Sequence, residues 1–130
     1  MQFRTDPRSG NRLSALGLGC MRFPSAAGRI DLNASEAIIR KALELGVNYL
    51  DTAYVYNGSE RALGEIFARN PGMRDGVFLA TKLPTPRCES AQDFDRYLEK
   101  SLMQLGTDHI DYYLVHNLTS ADSWERLRAL

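Results

Sequence analysis

From Leu16 onward the apolar positions fall into two alternating rhythms. Short continuous apolar runs, each a handful of residues long, are separated by longer stretches with helical spacing. The first run is Leu16–Met21, reading LGLGCM, whose glycines point to a strand approached closely by something else. Asn33-Ala34-Ser35-Glu36 has a capping-box layout, and Ala34, Ala37, Ile38, Ala42 and Leu45 then recur at helical spacing, with Gly46 as the left-handed stop. Val47–Leu50 is a second run, ending at Asp51. Ser59 caps a second predicted helix with Ala62, Leu63, Ile66 and Phe67 on one face, and Asn70-Pro71-Gly72 halts it. Val77–Thr81 is a third run, ending at Lys82; Pro84 and Pro86 force a loop after it. Ser90 opens a third helix with Phe94, Tyr97, Leu98, Leu102 and Leu105 inward and Gly106 behind it. Ile110–Val115 is the fourth run, ending at His116, and Ser120 begins a fourth helix through Trp124, Leu127 and Leu130. Ahead of all this, Pro7, Ser9, Gly10 and Asn11 lie between two short mixed stretches and predict a hairpin.

Strand and helix repeated almost four times predict parallel strands with helices packed outside. Two architectures answer to that pattern, an open doubly wound sheet and a closed (β/α)8 barrel. The Gly-x-Gly-x-x-Gly signature would favour the open sheet, but here Gly17 and Gly19 lead into Cys20, Met21 and Arg22 with no third glycine.

Bulk properties narrow the function more than the fold. Sixteen basic and sixteen acidic residues cancel, which argues against a nucleic-acid or anionic-membrane partner. No apolar run reaches the ~20 residues of a membrane span. The opening MQFRTDPRSG has no apolar signal core, so a cytoplasmic protein is expected. Cys20 and Cys88 are too far apart in sequence to form a metal-type pair; a disulfide and two reduced thiols are both open, with reduced thiols expected in that compartment.

The chemistry concentrates at the ends of the apolar runs. Asp51, Lys82 and His116 each terminate one, and Tyr56 follows in the loop after Asp51. Parallel neighbours lie about 4.8 Å apart, so three successive strand ends can share one patch. Sites form at that carboxyl end in barrels and open sheets alike. Taken singly, each residue has an ordinary explanation: a turn aspartate, a solvated lysine, a hydrogen-bonded core histidine. Three ionisable groups at the same topological position are harder to explain that way, since an unpaired buried Asp or Lys is costly and a pair is tolerated. As a set they suit proton transfer to an oxyanion. A nearby ammonium favours phenolate over phenol, Asp51 keeps Lys82 charged, and His116 can hold a substrate oxygen by hydrogen bonding. Reduction of a carbonyl by hydride needs such an acid, and a cofactor to give the hydride. Tyr54, Pro84 and Asn117 are expected to line the pocket.

The stretches LGLGCMRFP, GVNYLDTAYVYNGSE, FLATKLP and IDYYLVHN together resemble the aldo-keto reductase family. Asp51, Tyr56, Lys82 and His116 match that family's catalytic tetrad in identity and order. The resemblance implies a (β/α)8 barrel of about 250 residues, of which residues 1–130 form the N-terminal half, ending in the fourth helix. It implies NADPH, less often NADH, and interconversion of aldehydes or ketones with alcohols. It makes Tyr56 the general acid, Lys82 and Asp51 its tuning pair, and His116 the group that orients the carbonyl. It also places Gly19, Cys20, Met21 and Arg22, with Asp51, beside the nicotinamide. The opening RTDPRSGNRLSALGLGCMRFP looks most like a branch with a ferredoxin-like iron-sulfur region at its far end, so a cluster is expected only where such a region follows. Two other readings fit parts of the pattern: a regulatory subunit that keeps the cofactor site, and a Schiff-base lyase using Lys82. For residues 1–130 alone, open sheet edges predict self-association and no turnover.

Overall fold

The computed structural model describes residues Met1–Leu130. A short antiparallel hairpin, β1 (Phe3–Thr5) and β2 (Arg12–Ser14), comes first. Then follow β3 (Leu18–Gly19), a second hairpin of β4 (Ser25–Ala26) and β5 (Arg29–Ile30), and α1 (Leu32–Glu44). The rest alternates: β6 (Tyr49–Asp51), α2 (Ser59–Arg69), β7 (Phe78–Leu83), α3 (Gln92–Leu105), β8 (Tyr112–Val115) and α4 (Ala121–Arg128). The main sheet is parallel throughout, in the order β3-β6-β7-β8. Each strand pairs with the next in sequence, with no reversal of order. A doubly wound sheet needs such a reversal; one-way winding is the arrangement of a (β/α)8 barrel.

Pairing fixes which side chains share a face. Asp51 pairs with Ala80 and Ala80 with Tyr112, while Lys82 pairs with Leu114. Period-two alternation then puts Tyr49, Asp51, Phe78, Ala80, Lys82 and Tyr112 on one face and Leu50, Leu79, Thr81 and Leu83 on the other. The second face meets the helices. Its core joins Leu50 and Leu79 with Ile39, Leu63, Ile66 and Leu105, all fully buried. Each such side chain contributes about 1.5–3 kcal/mol relative to exposure. On the first face Tyr49, Phe78 and Tyr112 pack together, with ring centres 5.5 Å (Tyr49–Tyr112) and 6.4 Å (Phe78–Tyr112) apart. The β1–β2 hairpin closes the N-terminal end of the sheet. Asn48 exchanges hydrogen bonds with Ser14 and donates to the Arg12 carbonyl, while the Tyr112 hydroxyl meets Asp6 and Asn11.

Local details depart from the sequence reading. The cap of α1 is Asp31, whose carboxylate accepts from the Ala34 N–H, not the Asn33 box. Its inward stripe is Leu32, Ser35, Ile39 and Leu43, one residue round from the expected Ala34–Ile38–Ala42 face, and Ile38 and Leu45 are exposed. Adjacent isoleucines offered two stripes, and the one flanked by leucines buries more area. Gly58 precedes α2 and makes no side-chain cap; Ser59 instead bonds across the fold. At α3 the Asp93 carboxylate accepts from the N–H groups of Glu89 and Ser90. The β4–β5 hairpin was not expected: its turn residues, Ala27 and Gly28, both have positive φ (51° and 76°), a type I′ geometry usually announced by Asn-Gly. Both cysteines are buried free thiols.

Gly64 marks the tightest contact between α2 and α3. A Cβ there would stand 2.3 Å from the Gln104 carbonyl oxygen and 3.0 Å from the Leu105 carbonyl carbon, both backbone. Gly64→Ala must therefore push the helices apart. Its urea midpoint is expected to fall with unchanged slope, corresponding to about 1–3 kcal/mol; an unchanged midpoint would mean that the helices separate freely.

Candidate active site

The four residues singled out from the sequence converge at the carboxyl end of the sheet. Asp51 ends β6, Lys82 lies one residue before the end of β7, and His116 directly follows β8. Lys82 sits two residues beyond the Asp51 level, so its stem reaches sideways and back. Its ammonium donates to Asp51 Oδ1 at 2.6 Å and to the Thr52 carbonyl at 2.7 Å. The pair is half-sheltered, with 12% of the Lys82 side chain and 30% of the Asp51 side chain exposed. The same ammonium lies 4.8 Å from the Tyr56 ring centre. The Tyr56 ring meets His116 edge-on, centres 5.6 Å apart at 87°. All these contacts of Tyr56 run through its ring, which leaves the hydroxyl available to a substrate.

His116 is held by its backbone. Its N–H donates to the Leu83 carbonyl, and its own carbonyl accepts from the Thr85 hydroxyl. Asn117 follows in the left-handed region, φ 62°, and turns the chain away. Burial, and then the Lys82 charge, pull the imidazole below its ordinary 6.5, with Asp51 opposing. The folded chain thus favours neutral His116, while the unfolded chain protonates near 6.5. The stability this supplies is full above pH 6.5 and is lost as pH falls toward the lower folded value. His116→Gln should flatten that part of the pH–stability curve measured by urea unfolding. An equally steep loss in the variant would place the titration elsewhere.

Of the residues expected at the cofactor, Gly19 pairs with Asp51 at the rim, and nothing lies within 4 Å of where a side chain would project from it. Met21 and Arg22 are exposed beside it. Cys20 is different. Its thiol is fully buried and pushed up to about 12, chiefly by burial and then by Asp51. Its N–H donates to the Asp51 carbonyl and its carbonyl accepts from Ser59, so Cys20 braces the rim from below. Among the expected pocket residues Pro84 is fully buried, Tyr54 packs edge-on against Tyr97 at 4.9 Å, and Asn117 is exposed.

Three supports escaped the sequence reading. The Thr52 hydroxyl pairs with the Ser59 hydroxyl at 2.8 Å, Ser59 reaches Cys20, and Thr85 fixes His116. All are small hydroxyl residues next to the motif, and only their proximity to Asp51, Tyr56 and Lys82 in sequence could have flagged them.

Known proteins resemble this chain in sequence and in fold. The sequence model of the Aldo/keto reductase family matches residues 15–128. The 6-dehydroglucose reductase of Novosphingobium aromaticivorans is 34% identical over 126 residues, covering 88% of this chain and 41% of that protein. The Schizosaccharomyces pombe aldo-keto reductase yakc, whose name carries NADP(+), is 30% identical over 138 residues, covering 98% and 40%. Aldo-keto reductase AKR11C1 from Bacillus halodurans, solved in holo form, superposes with a TM-score of 0.73 at 29% identity, over 99% of this chain and 47% of that one. The chain thus spans less than half the length of these relatives. With the one-way parallel sheet, these matches show that the chain belongs to the aldo/keto reductase family of (β/α)8-barrel oxidoreductases.

Proposed function

We propose that residues 1–130 carry the proton-handling half of an NAD(P)H-dependent reductase that interconverts aldehydes or ketones with alcohols. The observation that carries this reading is the convergence of Asp51, Lys82, Tyr56 and His116, with the Lys82 ammonium between the Asp51 carboxylate and the Tyr56 ring. In this reading Tyr56 gives its proton to the carbonyl oxygen as negative charge builds there. The Lys82 charge favours negative charge left on the phenol, and Asp51 holds that ammonium in place. Neutral His116 donates a hydrogen bond to the same oxygen and fixes its distance from the phenol.

The rim fits a nicotinamide ring. Gly19 presents no side chain there and Met21 offers an apolar surface, while Arg22 can meet the cofactor's phosphate oxygens rather than the ring. The bound dinucleotide supplies the hydride. The NADP(+) in the name of the fission-yeast relative supports NADPH over NADH.

The relatives' greater length also sets an expectation for residues 1–130 alone. β3 and β8 each pair on one side only, and Leu114, Val115 and Leu118 near the β8 edge are 36%, 44% and 41% exposed. Open edges and exposed apolar groups invite association. The isolated residues are expected to sediment as a self-associated species and to leave NADPH unconsumed with any aldehyde. A chain extended to its relatives' length is expected to consume NADPH only when an aldehyde is added. A well-behaved 130-residue monomer with turnover would contradict the first expectation, and an extended chain that binds NADPH without turnover would favour the regulatory-subunit reading.

A further inference from the structure

The loop that carries Tyr56 also borders a second space. Tyr54 and Val55 face a cleft of about 730 Å³ bounded by α2, α3 and the turn at Thr85–Arg87. The charge of this cleft is one-sided: Arg61 comes from α2, Arg87 from the turn and Lys100 from α3, and no carboxylate lines it. None of the three cations takes part in an ion pair of the fold. Two are held over aromatic faces instead. The Arg87 guanidinium lies 5.8 Å from the Tyr54 ring centre and the Lys100 ammonium 5.6 Å from that of Tyr97. Those two rings pack against each other.

Arg61 is the least expected of the three. It stands in the first turn of α2, where the helix dipole disfavours a cation. The one carboxylate of that turn, Glu60, is buried and turned away to accept from the Thr81 hydroxyl in β7. Burial also pushes the Glu60 carboxyl above its ordinary range. Three cations gathered without a counter-charge repel one another, and an anion seated among them removes that repulsion. A phosphate offers three terminal oxygens to two guanidinium forks and an ammonium, whereas a carboxylate offers only two. The remaining wall is apolar: Tyr54, Val55 and Met103, the last 75% exposed. The volume is that of a small-molecule site.

We propose that this cleft binds a phosphomonoester carried on an aromatic or apolar body, at a site separate from the Asp51–Tyr56–Lys82–His116 cluster. The phosphate sits among Arg61, Arg87 and Lys100, and the body lies against Val55 and Met103. Its occupant touches Val55, the residue next to Tyr56.

Two methionines make the test specific, because Met103 lines this cleft whereas Met21 lies on the rim beside Gly19. With methionine methyl groups labelled with carbon-13 in a chain extended to its relatives' length, and Met21 and Met103 assigned by substitution, phenyl phosphate is titrated by NMR against inorganic phosphate and phenol. Phenyl phosphate should move the Met103 methyl saturably and leave Met21 in place. Inorganic phosphate should bind more weakly, and phenol should have no comparable effect. The double substitution R61Q/K100Q, at an exposed and a half-buried position, should weaken phenyl phosphate about tenfold or more, because charge-assisted contacts are lost. An unmoved Met103, a shift of Met21 instead, equal binding of phenol, or an unchanged affinity in the double variant would each overturn the proposal.

Discussion

Replacing Tyr56 by phenylalanine is expected to cut carbonyl reduction by about 10²- to 10⁴-fold in a chain extended to its relatives' length. The substitution removes one oxygen and little else. The ring keeps its edge contact with His116 and its place under the Lys82 ammonium, since both contacts are made by ring atoms. Stability and NADPH affinity should therefore stay near the parent values, and the loss should fall on kcat. Steady-state rates with one aldehyde, alongside an NADPH titration, separate these effects. Comparable turnover in the variant would assign the proton to another group, with His116 the first to examine.

Lys82→Met is the second large expectation. Methionine keeps an unbranched apolar stem of similar reach but deletes the charge that Asp51 and the Thr52 carbonyl both engage. Removing one preorganised electrostatic partner typically lowers kcat about 10²- to 10³-fold. Here the fold also suffers, because Asp51 is left without its counter-charge while 30% of its side chain is exposed. A loss of about 1–3 kcal/mol is expected, below that of a fully buried pair. Lys82→Arg separates the two chemistries proposed for this lysine. It restores positive charge beside Asp51, so it should recover part of the reductase activity lost in Lys82→Met. A Schiff base cannot form on a guanidinium, so an Arg variant as inactive as the Met variant would count toward the lyase reading.

The site was legible before the fold was, because its residues interrupt a pattern. Asp51, Lys82 and His116 stand out only because apolar strand residues precede them, and their shared position follows from one strand–helix unit between each pair. The architecture was less legible. Periodicity predicts parallel strands but does not order them; the barrel came from the family resemblance, and the pairing β3-β6-β7-β8 without a reversal agrees with it. Helix faces were misread where neighbours compete, as with Ile38 and Ile39, since a one-residue rotation turns on which flanking side chains are larger. The Ala27-Gly28 turn was invisible because alanine carries no left-handed preference that would announce it. Cys20 illustrates a further limit. Its place in the sequence, between Gly19 and Met21, says that it lies at the rim but not that its thiol turns into the core. Bracing by Thr52, Ser59 and Thr85 depends on contacts across 7 to 39 residues, which no local pattern encodes.

Isotope transfer tests the central claim most directly. The extended chain is given an aldehyde and NADPH carrying deuterium at the transferable C4 position, and the product is analysed by mass spectrometry and NMR. Hydride reduction with Tyr56 as the acid predicts one deuterium on the carbinol carbon in the parent and a greatly slowed appearance of the same labelled alcohol in Tyr56→Phe. Unlabelled product, or labelled alcohol formed equally fast by both chains, would contradict the account.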